Sequence, residues 1–268
     1  MVQSRQPHRS AIGWCDFSGG NANFVTGCTP VSEGCKNCYA RYIYKRYGHD
    51  FSVQWYEEKL ERLAQCVFPG PYKHPDSDRP LVFVCDTGDL FHEKVPEDLI
   101  VRAFDMMRDR RDVDWQVLTK RAERMHDFCL RYYQDRALSR SDFPNLWLGV
   151  SAENQRRAEE RIQLLLDTRA AIRWVSVEPM LGPVDLTFPI DAMWDDGTEM
   201  QAVEALDWVV CGAESGDSRR PFNKDWAVQL LAQCRKAHVP FFFKQGSHRF
   251  QGRDDELPGI GEVKEWPV

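Results

Sequence analysis

Three of the nine cysteines fall within the run Cys28-Thr-Pro-Val-Ser-Glu-Gly-Cys35-Lys-Asn-Cys38. A Cys-x6-Cys-x2-Cys loop can give one thiolate to each of three irons of a cubane cluster, leaving a fourth iron open to a substrate or cofactor. Completed by Cys15, Cys66 or a histidine, the same triplet would instead hold structural zinc. The odd cysteine count leaves at least one thiol unpaired, so a disulfide framework does not account for the set. The stretch Met1 to Ser10 is polar and lacks the apolar core of a secretory signal. The thiols are therefore expected in a reducing cytoplasm, where clustered cysteines serve metals or catalysis.

The remaining chemistry-bearing residues follow short apolar runs. Asp86-Thr-Gly-Asp89 with His92-Glu93 follows Leu81–Cys85, Thr119-Lys-Arg121 follows Trp115–Leu118, and Ser151-Ala-Glu153-Asn154 follows Leu146–Val150. Glu178-Pro179 follows Ile172–Val177, Gly212-Ala-Glu214-Ser215-Gly216 follows Asp207–Cys211, and Lys244-Gln245 follows Val239–Phe243. In parallel α/β folds ligands sit at the carboxyl ends of strands, so carboxylates, a lysine and hydroxyls are expected to gather there.

The elements that place them alternate. Each apolar run is strand-like and is followed by a helical pattern, such as the stripe Leu99, Ile100, Ala103, Phe104 and Met107, or Met125, Phe128, Cys129, Tyr132 and Tyr133. Strands apolar along their whole length imply a parallel sheet covered by helices. No Gly-x-Gly-x-x-Gly or P-loop follows any of them, which favours a parallel barrel or partial barrel over a dinucleotide-binding sheet. The segment Asn23 to Gly27 is read as the first strand, ending in the cysteine loop, and Tyr39 to Tyr47 as a helix presenting a core face and a solvated face. Gly182 to Ala205, with Asp191, Asp195 and Asp196, reads as a surface excursion. One domain is expected over residues 1–250, followed by a polar tail at 251–268.

No apolar run approaches the length of a membrane span, and the net charge of −6 gives the chain as a whole no attraction for a nucleic-acid backbone. His-Glu-x-x-His is absent, which removes the common zinc-hydrolase pattern.

Taken together, Trp14 with Asp16, Val25-Thr-Gly-Cys28, Gly34-Cys-Lys-Asn-Cys-Tyr39, Asp89-Leu-Phe-His-Glu93, Val117-Leu-Thr-Lys-Arg121, Trp147-Leu-Gly-Val-Ser151, Val177-Glu-Pro179, Gly212 with Glu214-Ser-Gly216, and Val239-Pro-Phe-Phe-Phe-Lys-Gln245 resemble the phage Gp37/Gp68 family, also called DUF5131. The resemblance runs from about residue 12 to about residue 246. It implies a radical-SAM-like partial (β/α)6-type barrel with an additional C-terminal strand, in which Cys28, Cys35 and Cys38 hold a [4Fe-4S] cluster. Two departures from the commoner radical SAM pattern are the six-residue first spacing and Asn37 before the last cysteine. A third departure is Cys15, where the family carries threonine, which raises the question of a fourth thiol.

The resemblance further implies S-adenosylmethionine as cofactor, an electron-donor protein, and an unidentified substrate, with a nucleobase as one candidate. Asp86 or Asp89 would receive the cofactor's ammonium, Lys120 or Arg121 its carboxylate, and Glu153 or Glu178 its ribose, with Ser151 a further cofactor-binding candidate. His92, Glu178 and Glu214 are the catalytic candidates. Glu214, Ser215, Arg219, Lys244 and Gln245 are the substrate candidates. The rival reading is a non-enzymatic zinc or Fe–S protein that binds nucleic acid or a protein partner through Tyr39, Arg41, Tyr42, Tyr44, Lys45 and Arg46.

Overall fold

The computed structural model describes residues 6–193 and 197–267, so Asp195, Asp196 and the first five residues lie outside the described residues. Contacts divide the chain into two units. The first runs to Leu148 and takes in Arg169–Ala171; the second holds Gly149–Thr168 and continues from Ile172.

In the first unit the elements are β1 (His8–Arg9), β2 (Phe17–Ser18), β3 (Val25–Thr26), α1 (Tyr39–Arg46), β4 (Gln54–Trp55), α2 (Glu57–Leu63), β5 (Leu81–Phe83), α3 (Glu97–Asp109), β6 (Asp114–Thr119), α4 (Ala122–Asp135) and the first half of β7 (Leu146–Ser151). Their sheet order is β1-β2-β5-β6-β7, with β2–β5 and β5–β6 parallel and β1 antiparallel at the edge. The parallel sheet therefore starts at Phe17, earlier than the sequence implies. Gly19 and Gly20, both at positive φ, turn the chain out of the sheet after Ser18. The expected first strand around Val25 instead forms a short antiparallel pair, β3 with β4.

The stripes on α3 and α4 are buried as their periodicity requires, and they meet in an aromatic cluster. Phe104 lies edge-on to Phe128, Tyr132 and Phe143 at centroid distances of 4.9, 5.3 and 5.9 Å. Each such pair contributes about 0.5–1.5 kcal/mol beyond its area burial. Helix α1 behaves differently: Ala40 is its buried residue, while Tyr39, Tyr42, Ile43 and Tyr47 are exposed. An eight-residue helix has one narrow line of contact, and here the smallest side chain occupies it, so the expected tyrosine core face is corrected.

The second unit contains the rest of β7, α5 (Gln155–Leu166), β8 (Ile172–Val177), β9 (Pro189–Met193), β10 (Glu199–Gln201), α6 (Ala202–Ala205), β11 (Trp208–Gly212), α7 (Lys224–Lys236), β12 (Phe241–Gln245), β13 (Glu256–Leu257) and β14 (Gly261–Glu262). Its sheet order is β7-β8-β11-β12, with β11 parallel to both neighbours. The surface excursion is an antiparallel pair, β9 with β10. The C-terminal segment folds back: β13 and β14 pair, the Phe243 amide donates to Val263 O, and the Trp208 indole donates to Glu265 O at 2.8 Å. Trp174, Trp208, Phe242 and Trp266 form a chain of ring contacts between 5.1 and 6.2 Å, so apolar residues sparse in the tail's composition anchor it.

The fold class is the expected α/β one with mostly parallel strands. Among the described residues no helix is long and apolar enough to cross a membrane.

Candidate functional site: a three-cysteine loop and its guanidinium

The cysteine loop leaves β3 through Gly27, whose φ is +76° and whose amide donates to Thr87 O at 2.9 Å. Gly27 bridges Gly88 in parallel register, past the end of β5. A Cβ on Gly27 would stand 2.0 Å from Ser52 O, and one on Gly88 would stand 2.7 Å from Val25 O. Neither position has room for a side chain, and the contact fixes the loop against the exit of β5.

Cys28 follows at once, Cys35 closes a single 3-10 turn (Glu33–Cys35), and Cys38 is the N-cap residue of α1. These three cysteines form no disulfide and are partly accessible, whereas Cys15, Cys66, Cys85, Cys129, Cys211 and Cys234 form no disulfide and are buried. That division separates thiols able to meet a ligand from thiols that serve as small core residues. Burial chiefly, and then the Asp89 carboxylate, push the Cys28 thiol up from its usual range, against the pull of Arg121. Burial also works to raise Cys35, but hydrogen bonds with the Val31 and Ser32 backbone and the Lys120 charge outweigh it and bring that thiol down.

Arg121, 8% exposed at its side chain, spends its donors on this loop and on the one after β5. Nη1 donates to Cys28 Sγ at 3.3 Å and to Asp89 Oδ2 at 3.0 Å, Nε donates to Glu93 Oε2 at 2.9 Å, and Nη2 donates to Thr29 O and Oγ1 at 3.2 and 3.0 Å. Burial of the guanidinium is offset by Asp89 and Cys28, and the net effect raises its pKa. Asp89 is closed on both oxygens: Oδ1 accepts from Thr119 Oγ1 at 2.7 Å and from the Phe91 amide at 3.0 Å. It acts as the counter-ion of Arg121. Asp86 is half-buried, its Oδ1 accepts from Asn23 Nδ2 at 2.5 Å, and burial raises its pKa.

His92 is fully buried, and its Nδ1 accepts from the Lys94 amide at 3.1 Å. The ring proton therefore sits on Nε2, which donates to Thr29 Oγ1 at 2.8 Å. Burial first, and then Arg121, lower its pKa and keep it neutral. Desolvation opposes ionisation of Glu93, but its own backbone amide and Arg121 prevail and hold its carboxyl at about 2. His92 thus supports the loop from beneath through Thr29. Lys120 is half-buried and makes no hydrogen bond or ion pair among the described residues, and its charge acts on Cys35.

Cys15 stands before β2, at the strand's entry, with its thiol 4.0 Å from Ile12 O, whereas Cys28 meets residues beyond the exits of β5 and β6.

In the second unit, Glu153 is fully buried, its Oε2 accepting from Arg161 Nη1 at 2.9 Å, and Asn154 rather than Glu153 caps α5. Arg161 also donates to Ser151 O at 2.6 Å. The sequence pattern marks Glu153 as a strand-end residue but does not reveal that Arg161, two turns along α5, reaches back to neutralise it. Glu178 pairs with Lys244 at 3.2 Å and accepts from Ser176 Oγ at 3.3 Å. A Cβ on Gly212 would stand 2.6 Å from Glu178 Oε1, so that glycine makes room for the carboxylate. Glu214 accepts from the Arg220 amide at 2.8 Å and from its guanidinium, and Arg219 Nη1 donates to Gly216 O at 2.9 Å. Ser215 forms a parallel bridge with His248. Gln245 donates to Ala213 O at 3.0 Å and accepts from the Gly252 amide at 2.7 Å.

Sequence reasoning did not find Thr29, and it named Arg41 only for a contact surface; Arg41 Nη2 donates to Cys28 O at 3.2 Å while its guanidinium lies 5.0 Å from the Phe51 ring centre. Neither carries a spacing signal.

Among the described residues no group of three or more His, Cys, Asp or Glu is close enough to hold a single metal ion. A cubane makes a different demand, because each thiolate binds its own iron and the three need not converge on one point. Three accessible thiols on one loop, with a guanidinium donating to one sulfur and an ammonium acting on another, fit that demand. Donors around ligating sulfurs set cluster potential.

The family described as "Protein of unknown function (DUF5131)" matches residues 9–258. No curated protein matches the chain. Among solved structures, a single-substitution mutant of spore photoproduct lyase with dinucleoside spore photoproduct is similar, with a TM-score of 0.50 and 10% identity over 93% of this chain and 80% of that one. A double mutant of the same lyase, with bound AdoMet and dinucleoside spore photoproduct, gives a TM-score of 0.49 at the same identity and coverage. At this identity the likeness shows the fold alone, the mostly parallel α/β sheet of a partial (β/α) barrel.

Proposed function

The chain belongs to the DUF5131 family, and from that premise we propose that it is a radical-SAM-like iron–sulfur enzyme. Cys28, Cys35 and Cys38 would hold a [4Fe-4S] cluster, and S-adenosylmethionine would be the cofactor bound at its open iron. When bound, this pair supplies one-electron reductive cleavage of the cofactor's sulfonium S–C bond, which yields a carbon-centred radical for modification of the substrate.

The observation that carries the reading is the contrast among the thiols, accessible on the loop and buried elsewhere, with Arg121 donating to Cys28 Sγ. The protein's own part is positional. Gly27 and Gly88 hold the loop against β5, and Thr29, resting on His92, holds the residue after the first ligand. Arg121 offsets negative charge at the cluster ligands, while Asp89 and Glu93 hold its fork in place. Lys120, with no hydrogen-bond or ion-pair partner among the described residues, would take the cofactor's carboxylate. Asp86, half-buried and accepting from the Tyr39 hydroxyl at its backbone carbonyl, would accept from the cofactor's ammonium. Asp89 is occupied by Arg121 and Thr119 and so serves the site indirectly.

The test is anaerobic reconstitution followed by metal analysis. Iron and acid-labile sulfide should be retained in equal amounts by the wild type and lost in Cys35→Ala. Retention of zinc with no labile sulfide would replace this reading with the structural-metal one.

A further inference from the structure

From Lys36 to His49 the chain carries Lys36, Arg41, Lys45 and Arg46 and no acidic residue, in a protein whose net charge is −6. Most of this stretch is α1, whose exposed residues include Tyr42 at 60%, with Tyr47 just beyond at 67%. Among the described residues the side chains of Tyr42, Lys45, Arg46 and Tyr47 make no hydrogen bond, ion pair or ring contact. Helical spacing puts Tyr39, Tyr42 and Arg46 in one row, with Lys45 beside Tyr42 on the same face. Single exposed aromatics are ordinary, but this short ridge alternates ring faces with cations.

Such alternation suits a ligand that is itself an alternation of planar rings and negative charges. Nucleic-acid single strands are bound by aromatic side chains that stack on bases and by cations that follow the phosphates. A protein-docking patch has an apolar centre depleted of charge and a polar rim. Here Ile43 is the one aliphatic side chain among the exposed residues of α1, and the tyrosines are separated by lysine and arginine. The ridge also begins at Cys38, so a strand lying along it meets the proposed cluster loop at one end.

We propose that α1 is a docking ridge for single-stranded nucleic acid, with Tyr42 stacking on a base and Lys45 and Arg46 pairing phosphates, so that the substrate class of the cysteine-loop site is a nucleotide within a single strand. The substrate assignment rests on the enzymatic reading above; the binding surface does not.

The experiment uses the full chain and fluorescein-labelled single-stranded DNA and RNA of about 16 nucleotides, with binding followed by anisotropy over a salt series. One base stacked on tyrosine is worth roughly 1–3 kcal/mol, so Tyr42→Ala should weaken binding about tenfold, while Tyr42→Phe, which keeps the ring face, should bind like the wild type. Lys45→Ala/Arg46→Ala should reduce the slope of log K against log salt by about 1.4. Circular dichroism and iron content should match the wild type in all three variants.

Absence of oligonucleotide binding by the wild type overturns the proposal, as does binding that none of these substitutions alters. So does binding of an acidic redox protein in place of the oligonucleotide, abolished by the Lys45/Arg46 double substitution and indifferent to Tyr42. Loss of the cluster reading would show separately, as a wild type that binds oligonucleotide but holds no iron or sulfide.

Discussion

Arg121 Nη1 stands 3.3 Å from Cys28 Sγ, and the same nitrogen lies 3.0 Å from Asp89 Oδ2. One buried guanidinium therefore joins the first cysteine of the loop to a buried carboxylate at the exit of β5. The chain's local order is built so that these groups meet: Gly27 brings the loop to Gly88, and Thr119 at the end of β6 fixes Asp89.

Replacing Arg121 should act in two separable ways. Arg121→Gln leaves Asp89 buried without its counter-ion and should cost about 3–5 kcal/mol in urea unfolding, most of it recovered in Arg121→Gln/Asp89→Asn. Arg121→Lys keeps the charge but not the fork. Reconstituted, it should show a more negative cluster midpoint potential in a redox titration, because a donor to the ligating sulfur is weakened. An unchanged potential would remove Arg121 from the cluster's surroundings.

Gly27→Ala places a methyl group where Ser52 O already stands, at a backbone φ that side chains avoid. It should destabilise the protein by about 2 kcal/mol or more and reduce retained iron per folded chain. Gly48→Ala, also at positive φ but with nothing within 4 Å, controls for the conformational part. Equal losses in the two variants would show that the close approach at Gly27 has no special weight.

His92 gives the pH dependence a definite sign. Its folded-state pKa lies below the ordinary value of 6.5, with burial the largest cause. The folded protein thus binds its proton less readily than the unfolded chain, and the contribution is fully present above pH 6.5 and is lost as pH falls through and below it. Between about pH 7.5 and about pH 5.5 the wild type should lose more melting temperature than His92→Gln. Parallel curves for the two proteins would contradict the neutral, buried state of this ring.

Cys15 stands just before β2 with its thiol 4.0 Å from Ile12 O, whereas Cys28 Sγ accepts from Arg121 beyond β6. Cys15→Ala should therefore retain full iron and sulfide, while Cys28→Ala should lose them. Iron analysis showing the reverse would make Cys15 a ligand.

The periodic parts of the molecule were legible in the sequence because they obey one rule each. Ile172–Val177 reads as a buried strand and is one, and the stripes of α3 and α4 are buried as read. Two features were not legible. The edge near Val25 depends on Gly19 and Gly20 turning the chain out of the sheet, and the exposure of Tyr42 depends on what packs against α1; neither leaves a periodic trace. Among the site residues, the cysteines could be named from spacing, but partners could not. Glu153 looks open in sequence and is neutralised by Arg161, while Arg121, read as a cofactor ligand, is drawn to Cys28, Asp89 and Glu93. Such pairings join residues from distant parts of the chain, or a strand exit to the second turn of the helix that follows, and only the folded backbone brings them together.

The central claim is that the three accessible thiols hold a cluster that reacts with S-adenosylmethionine. The direct measurement is anaerobic incubation of the reconstituted protein with S-adenosylmethionine and a strong reductant, followed by chromatographic assay of nucleoside and amino-acid products. The wild type should yield 5′-deoxyadenosine and methionine, and Cys28→Ala, Cys35→Ala and Cys38→Ala should yield neither. A wild type that carries an intact cluster and leaves S-adenosylmethionine uncleaved would contradict the claim.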